Sequence, residues 1–130
     1  MKQYVLVHGN GGRFSHELME KYIMPHFKNE ALAKLHDGAQ FEVPAGRMAF
    51  TTDSYVVTPQ FFPGGNIGKL AVCGTVNDLA MNGAKPLYLS CGLYSGRRLS
   101  VKTLDSVLAT MADMAKEAGV FHCDRRYKGC

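Results

Sequence analysis

Two carboxylates and one run of glycines carry the chemistry that this chain can offer. Asp53 follows the apolar stretch RMAFTT in Thr51-Thr52-Asp53-Ser54, where a strand end would deliver a carboxylate among hydroxyls. An Asp so placed serves either as a turn cap or as a ligand. Asn77-Asp78 lies in the middle of VCGTVNDLAMNG, an otherwise apolar helical stretch. A carboxylate buried or half-buried there is costly unless it is paired or holds a cation, so the placement predicts a partly buried Asp78 with a partner. Together Asp53 and Asp78 match what Mg²⁺ prefers, one or two carboxylates with nucleotide phosphates completing the shell. Near the start, His8-Gly9-Asn10-Gly11-Gly12 can bring backbone N–H groups close to phosphate because glycine has no Cβ in the way, a weak motif by itself, since a glycine-rich loop is usually only a loop.

Other candidates fall away on spacing. Gly64-Gly65-Asn66-Ile67-Gly68-Lys69 is not a P-loop, because Pro63 stands where the first glycine belongs and Leu70 follows the lysine in place of Ser or Thr. His16, His26 and His36 recur every ten residues, a spacing that no helix puts on one face, and they read as surface polar groups. Met81, Met111 and Met114 read as core filling. Cys73 and Cys91 lie in apolar segments, while Cys123 and Cys130 lie in a polar tail without CxxC spacing, so we expect reduced thiols and neither a bridge nor a metal site.

The elements that must position these residues alternate. Residues 3–7, QYVLV, predict a strand running into the glycine loop. Ser15 is a candidate N-cap for a helix with Leu18, Tyr22 and Ile23 on its apolar face, ending near Pro25, and Asn29 opens a second short helical segment through Leu35. Alternation over 40–58 around Pro44-Ala45-Gly46 predicts two or three strands with tight turns. A loop over 59–66 leads to Asn66 as cap of a helix from Ile67 to about Asn82, with Gly83 just past its end. A strand over 86–93 precedes a long amphipathic helix from Ser100 to Ala118, closed by Gly119, with Leu104, Leu108, Met111 and Met114-Ala115 facing one core. This is a mixed α/β order, α+β in type, with a mixed sheet and flanking helices.

At 130 residues, 46% apolar and 20% charged, the chain suits one globular domain and neither disorder nor a fibre. No apolar run approaches the roughly 20 residues needed to cross a bilayer, and the start MKQYVLVHGNGG does not resemble a signal peptide, so a cytoplasmic location without membrane attachment is expected. The net charge of +4 raises nucleic acid as a partner. Its distribution argues against that: Arg97, Arg98, Arg125, Arg126 and Lys128 fall in two short stretches holding one acid, Asp124, and the rest of the chain has ten residues of each sign.

HGNGG near the start, FTTDSYVV, FFPGGNIGKLAVCGTVNDLAMNGAKPLYLS and the helix ending MAKEAG, in that order and at those distances, resemble the HypE family of hydrogenase expression/formation proteins. These are the carbamoyl dehydratases of nickel–iron hydrogenase maturation, within the aminoimidazole ribonucleotide synthetase superfamily. The resemblance runs from residue 1 to about 120, and the block PGGNIGKLAV with GTVNDLA is its most specific part. It implies an ATP-binding and dimerisation domain over 1–120, with two sheets joining into a barrel in a homodimer. It also implies that Asp53, Asn77 and Asp78 hold Mg²⁺-ATP, with Asp53 and Asp78 on the metal, while His8, Gly9, Asn10, Gly11 and Gly12 fold over the triphosphate. The implied reaction phosphorylates the oxygen of a cysteine-borne carbamoyl group, which then loses phosphate to become a thiocyanate, a net loss of water. A carbamoyl transferase supplies the group, and an iron-carrying scaffold complex receives the cyanide. Selenophosphate synthetase shares the Asp motifs but expects a Cys or selenocysteine and a Lys in its N-terminal catalytic loop, where this chain has His8–Gly12.

Residues 121–130 depart from the family, which expects a segment like FIVTGDTKV with an Asp and a Lys for the nucleotide. One extra T in a T-run of codons for VFIVTGDTKV yields VFHCDRRYKGC, and Tyr94–Leu99 likewise shifts to ILEEG. The expectation is therefore a frame-shifted, truncated copy in which 121–130 is a non-family tail and the second, cysteine-bearing domain is absent. Cys130 is not expected to be the carbamoyl acceptor, and the chain alone is not expected to complete the dehydration. Two alternatives stand beside this reading: a small-molecule kinase of the same superfamily, and a non-catalytic basic module acting through Arg97, Arg98, Arg125 and Arg126.

Overall fold

The computed structural model describes residues 12–27, 38–96, 98–122 and 127–129. The expected strand at 3–7, the helical segment 29–35 and loop residues His8, Gly9, Asn10 and Gly11 lie outside these. Helix α1 (Gly12–Leu18) starts one turn before the expected cap at Ser15, since nothing in Arg13-Phe14 opposes a helix. It runs into a π-helical turn over Met19–Ile23, closed by the Met24 N–H donating to the Met19 carbonyl at 2.8 Å, and the chain bends before Phe27.

Two strands then make a hairpin where a plain loop is expected. β1 (Phe61–Phe62) pairs antiparallel with β2 (Gly65–Asn66) around Pro63-Gly64. Gly64 has φ +92°, the conformation that the second central residue of a proline-led turn needs. Asn66 ends the hairpin and begins α2 (Ile67–Met81). Its side-chain oxygen accepts from the N–H groups of Gly68 at 2.8 Å and Lys69 at 3.2 Å, as the sequence predicts for its cap. Gly83 follows the helix with φ +68°.

β3 (Tyr88–Leu89) and β4 (Leu93–Ser95) replace the single expected strand over 86–93. α3 (Val101–Ala118) is capped by Ser100 Oγ, which accepts from the Thr103 N–H at 3.1 Å, and is closed by Gly119 at φ +72°. Beyond it, β5 (Phe121–His122) lies parallel to β3 and β6 (Tyr127–Gly129) parallel to β4, the pairing a helical crossover permits.

One core joins these pieces: Leu18, Met19, Ile23 and Phe27 meet Val72, Leu89, Leu104, Val107, Leu108, Met111, Ala115 and Val120. The helices α2 and α3 come close at Gly68, where a Cβ would come within 2.6 Å of the Val107 carbonyl oxygen and 2.8 Å of Met111 Cγ. The chain is thus α/β, but its sheet differs from the expected mixed sheet. Three separate two-stranded pairs stand in its place, and 40–58 forms no ladder among the described residues. The alternation in 40–58 is that of a strand, yet a strand is held by hydrogen bonds to a neighbour, and the described residues place none beside it.

Candidate nucleotide and cation site

The segment 38–58 is attached to the core by two aromatic contacts. At one end the rings of Phe41 and Tyr88 stack with centroids 4.2 Å apart, and Tyr88 Oη donates to the Glu42 carbonyl at 3.3 Å. At the other end Tyr55 lies across α2, its Oη 3.4 Å from Thr75 Oγ1. Gly74 makes room for it. A Cβ there would collide with Tyr55 Oη and come within 3.0 Å of ring carbons Cε1 and Cζ. A glycine inside a helix costs about 1 kcal/mol relative to alanine, and here the ring occupies the space that the missing side chain leaves.

Asp53 and Asp78 lie on the two segments that this contact joins. Asn77 and Asp78 follow Gly74 by three and four residues, so they continue the helix stripe that Tyr55 crosses. Thr51, Tyr55 and Val57 are half-buried while Thr52, Ser54 and Val56 are exposed, a period of two that gives Asp53 the parity of Tyr55. Asp53 Oδ1 accepts from the Ser54 N–H at 2.7 Å, the local turn bond that its sequence allows. No bond joins Asp53 to Asp78 directly among the described residues.

Asp78 corrects the expectation of a partly buried carboxylate. Asn77, Asp78 and Asp53 are all exposed. The apolar stretch around Asp78 misleads because α2 is not enclosed: Val72 and Leu79 enter the core, whereas Leu70 and Met81 face outward, Met81 at 87% exposure. The helix is apolar on nearly every side but covered on one. Of the glycine loop, only Gly12 is described, as the first residue of α1.

Among the described residues, no group of three or more His, Cys, Asp or Glu side chains could hold a metal ion. A cage built from protein ligands alone is therefore not formed there, and a pair of exposed carboxylates suits a cation that keeps waters and takes phosphate oxygens, as Mg²⁺ does. Lys69, the residue that invites a P-loop reading, bends back so that Nζ donates to the Gly64 carbonyl at 3.0 Å. His26, expected as an isolated surface group, is half-buried and meets Asp105 Oδ1 at 2.8 Å through Nε2, linking the first helical segment to α3. Cys73 is a half-buried free thiol.

Sequence reasoning missed Tyr55 and Gly74. The available signal is a glycine in a helix interior, which marks a close approach.

The sequence profile of AIR synthase related protein, N-terminal domain, matches residues 35–122. The chain belongs to this family. Within the AIR synthase related domain, similarity is strong to carbamoyl dehydratase HypE of Escherichia coli strain K12, 46% identical over 125 residues, covering 92% of this chain and 37% of that protein. In three dimensions the domain resembles a crystal structure of hydrogenase maturation protein HypE in complex with ATP, with TM-score 0.93 and 46% identity, covering 98% of this chain and 38% of that one. It also resembles a chain in a crystal structure of a HypE–HypF complex, with TM-score 0.61 and 40% identity, covering 92% of this chain and 37% of that one. The resemblance seen in the motifs thus holds, and the chain spans well under half the length of the relatives it matches. No helix among the described residues is long and apolar enough to cross a membrane.

Proposed function

We propose that this chain is the ATP-binding domain of a HypE-type factor in nickel–iron hydrogenase maturation. The observation that carries the reading is the match over 98% of the chain, at TM-score 0.93, to a HypE structure in complex with ATP. Asp53 and Asp78 hold Mg²⁺ and Asn77 assists at the nucleotide, while His8, Gly9, Asn10, Gly11 and Gly12 close over the phosphates. The bound cation neutralises phosphate charge, and the exposed carboxylates supply the few protein oxygens it needs.

In this reading the ATP serves the dehydration of a cysteine S-carboxamide to a thiocyanate. Phosphorylation turns the carbamoyl oxygen into a good leaving group. A carbamoyl transferase provides the substrate, an assignment supported by the likeness to HypE in its complex with HypF. An iron-carrying scaffold complex takes the product, and the work is cytoplasmic and independent of nucleic acid. Residues 121–130 depart from the family in sequence, even though β5 and β6 pair with β3 and β4, and residues 1–130 do not complete the dehydration by themselves. The apolar side chains of Phe41, Val43, Met48, Phe50 and Val56, exposed along a segment of strand-like alternation, support a homodimer in which two such segments pair.

Calorimetry tests the reading. The chain should bind Mg²⁺-ATP, and Asp78→Asn or Asp53→Asn should abolish the part of the affinity that depends on Mg²⁺. Absence of binding by the unaltered chain, or unchanged binding in both variants, overturns it.

A further inference from the structure

We propose that Tyr55 is a positioning residue that sets Asp53 against the Asn77-Asp78 turn, and that Gly74 is glycine so that the tyrosine can sit there. The inference rests on the reading of Asp53 and Asp78 as the cation site. It adds a cause for their relative placement, the packing of the Tyr55 ring on Gly74, which holds 51–57 against α2 whether or not the hydroxyl is present. The Tyr55 hydroxyl reaches Thr75 Oγ1 at 3.4 Å, and a Cβ on Gly74 would meet the hydroxyl first and the ring carbons at 3.0 Å. Asp53 is two residues from Tyr55 on the same parity, and Asp78 is one helical turn from Gly74, so a shift of the ring moves one carboxylate relative to the other. Positioning groups of this kind act on a metal ligand without touching the metal.

The geometry gives opposite signs to stability and to binding. Gly74→Ala removes an unfavourable helix-interior glycine, which favours α2, yet its methyl group displaces Tyr55. A residue that matters only for packing would lower both quantities together.

The test measures thermal melting and ATP affinity, with Mg²⁺ and with EDTA, in Gly74→Ala, Tyr55→Phe, the double variant and Asp78→Asn. Gly74→Ala should keep or raise the melting temperature, leave the EDTA affinity unchanged and weaken the Mg²⁺-dependent affinity about tenfold, as loss of an outer-shell partner does. Tyr55→Phe alone should change little, because the ring remains. The double variant should recover most of the lost affinity, since the hydroxyl is the atom that the added methyl meets first. Wild-type Mg²⁺-ATP affinity in Gly74→Ala, with Asp78→Asn impaired, overturns the positioning role and leaves the cation site standing. Equal losses with and without Mg²⁺ in Gly74→Ala, or no recovery in the double variant, likewise overturn it. Unchanged affinity in Asp78→Asn removes the site and the positioning role together.

Discussion

The face between α2 and α3 and the segment 38–58 are both rich in apolar side chains, and they meet opposite fates. Between the helices Leu108 is 1% exposed and Gly68 brings the backbones nearly into contact. In the segment, Phe50 is 86% and Val56 94% exposed. Hydrophobicity alone therefore does not place a residue in the core. A helix satisfies its own backbone and needs only one covered stripe, whereas a strand needs a neighbour for its N–H and C=O groups before its side chains can be buried. One part of the molecule thus covers its apolar face within the chain, and the other leaves its apolar side chains exposed.

The largest expected effect breaks the covered part. Leu108→Ala should destabilise the domain by about 3 kcal/mol, the range for a buried leucine whose surroundings cannot collapse, read by chemical denaturation. A loss below about 1 kcal/mol would mean that the helix pair is looser than its contacts indicate. Asn66→Ala should cost about 1–2 kcal/mol, because it removes the cap of α2 and the bond from Nδ2 to Thr110 Oγ1 at 2.9 Å. Asn66→Asp sharpens the test, since it keeps the capping oxygen and loses only the donor, and it should recover part of that loss.

In the segment the expectation reverses. Phe50→Asp should change the unfolding free energy of the monomer by no more than about 0.5 kcal/mol and yet shift sedimentation from dimer to monomer at tens of micromolar. An unchanged sedimentation profile would dissolve the comparison. The smallest effect concerns Lys21, which donates to Glu17 at 2.9 Å and whose pKa is raised above the ordinary 10.5 by that hydrogen bond and by the carboxylate charge. A raised pKa means that the folded state favours the ammonium form. The contribution is present below the unfolded value and lost as pH climbs through the folded one, and salt screens it because the pair is exposed. In Glu17→Gln the Lys21 ammonium should titrate lower in an NMR titration, and the small contribution present near neutral pH should be lost.

The helices were legible in the sequence because their signals are local. Asn66, Ser100 and Gly119 mark three ends of α2 and α3, Gly83 lies two residues beyond Met81, and Leu104, Leu108, Met111 and Ala115 give the buried face in advance. Pairing in 40–58 was not legible, since alternation names a strand but not its neighbour. The hairpin at 61–66 hid behind Pro63, which reads as a loop until Gly64 takes its positive φ. At the site, the types and order of Asp53, Asn77 and Asp78 could be read directly. The exposure of Asp78 could not, because it depends on what covers α2, and Tyr55 escaped notice because its role appears only opposite Gly74.

Asn66 also has a consequence in time. Its oxygen begins α2 through bonds spanning two and three residues, while its amide is satisfied by Thr110, 44 residues further along the chain. Thr110 in turn donates to the Ser106 carbonyl at 3.1 Å, within α3. The Asn66 amide, 6% exposed in the finished structure, leaves water only when Thr110 is there to receive it, so the start of α2 and the docking of α3 are expected to form together. Asn66→Asp should accordingly slow folding more than it speeds unfolding, placing this one side chain at the point where the barrier is crossed.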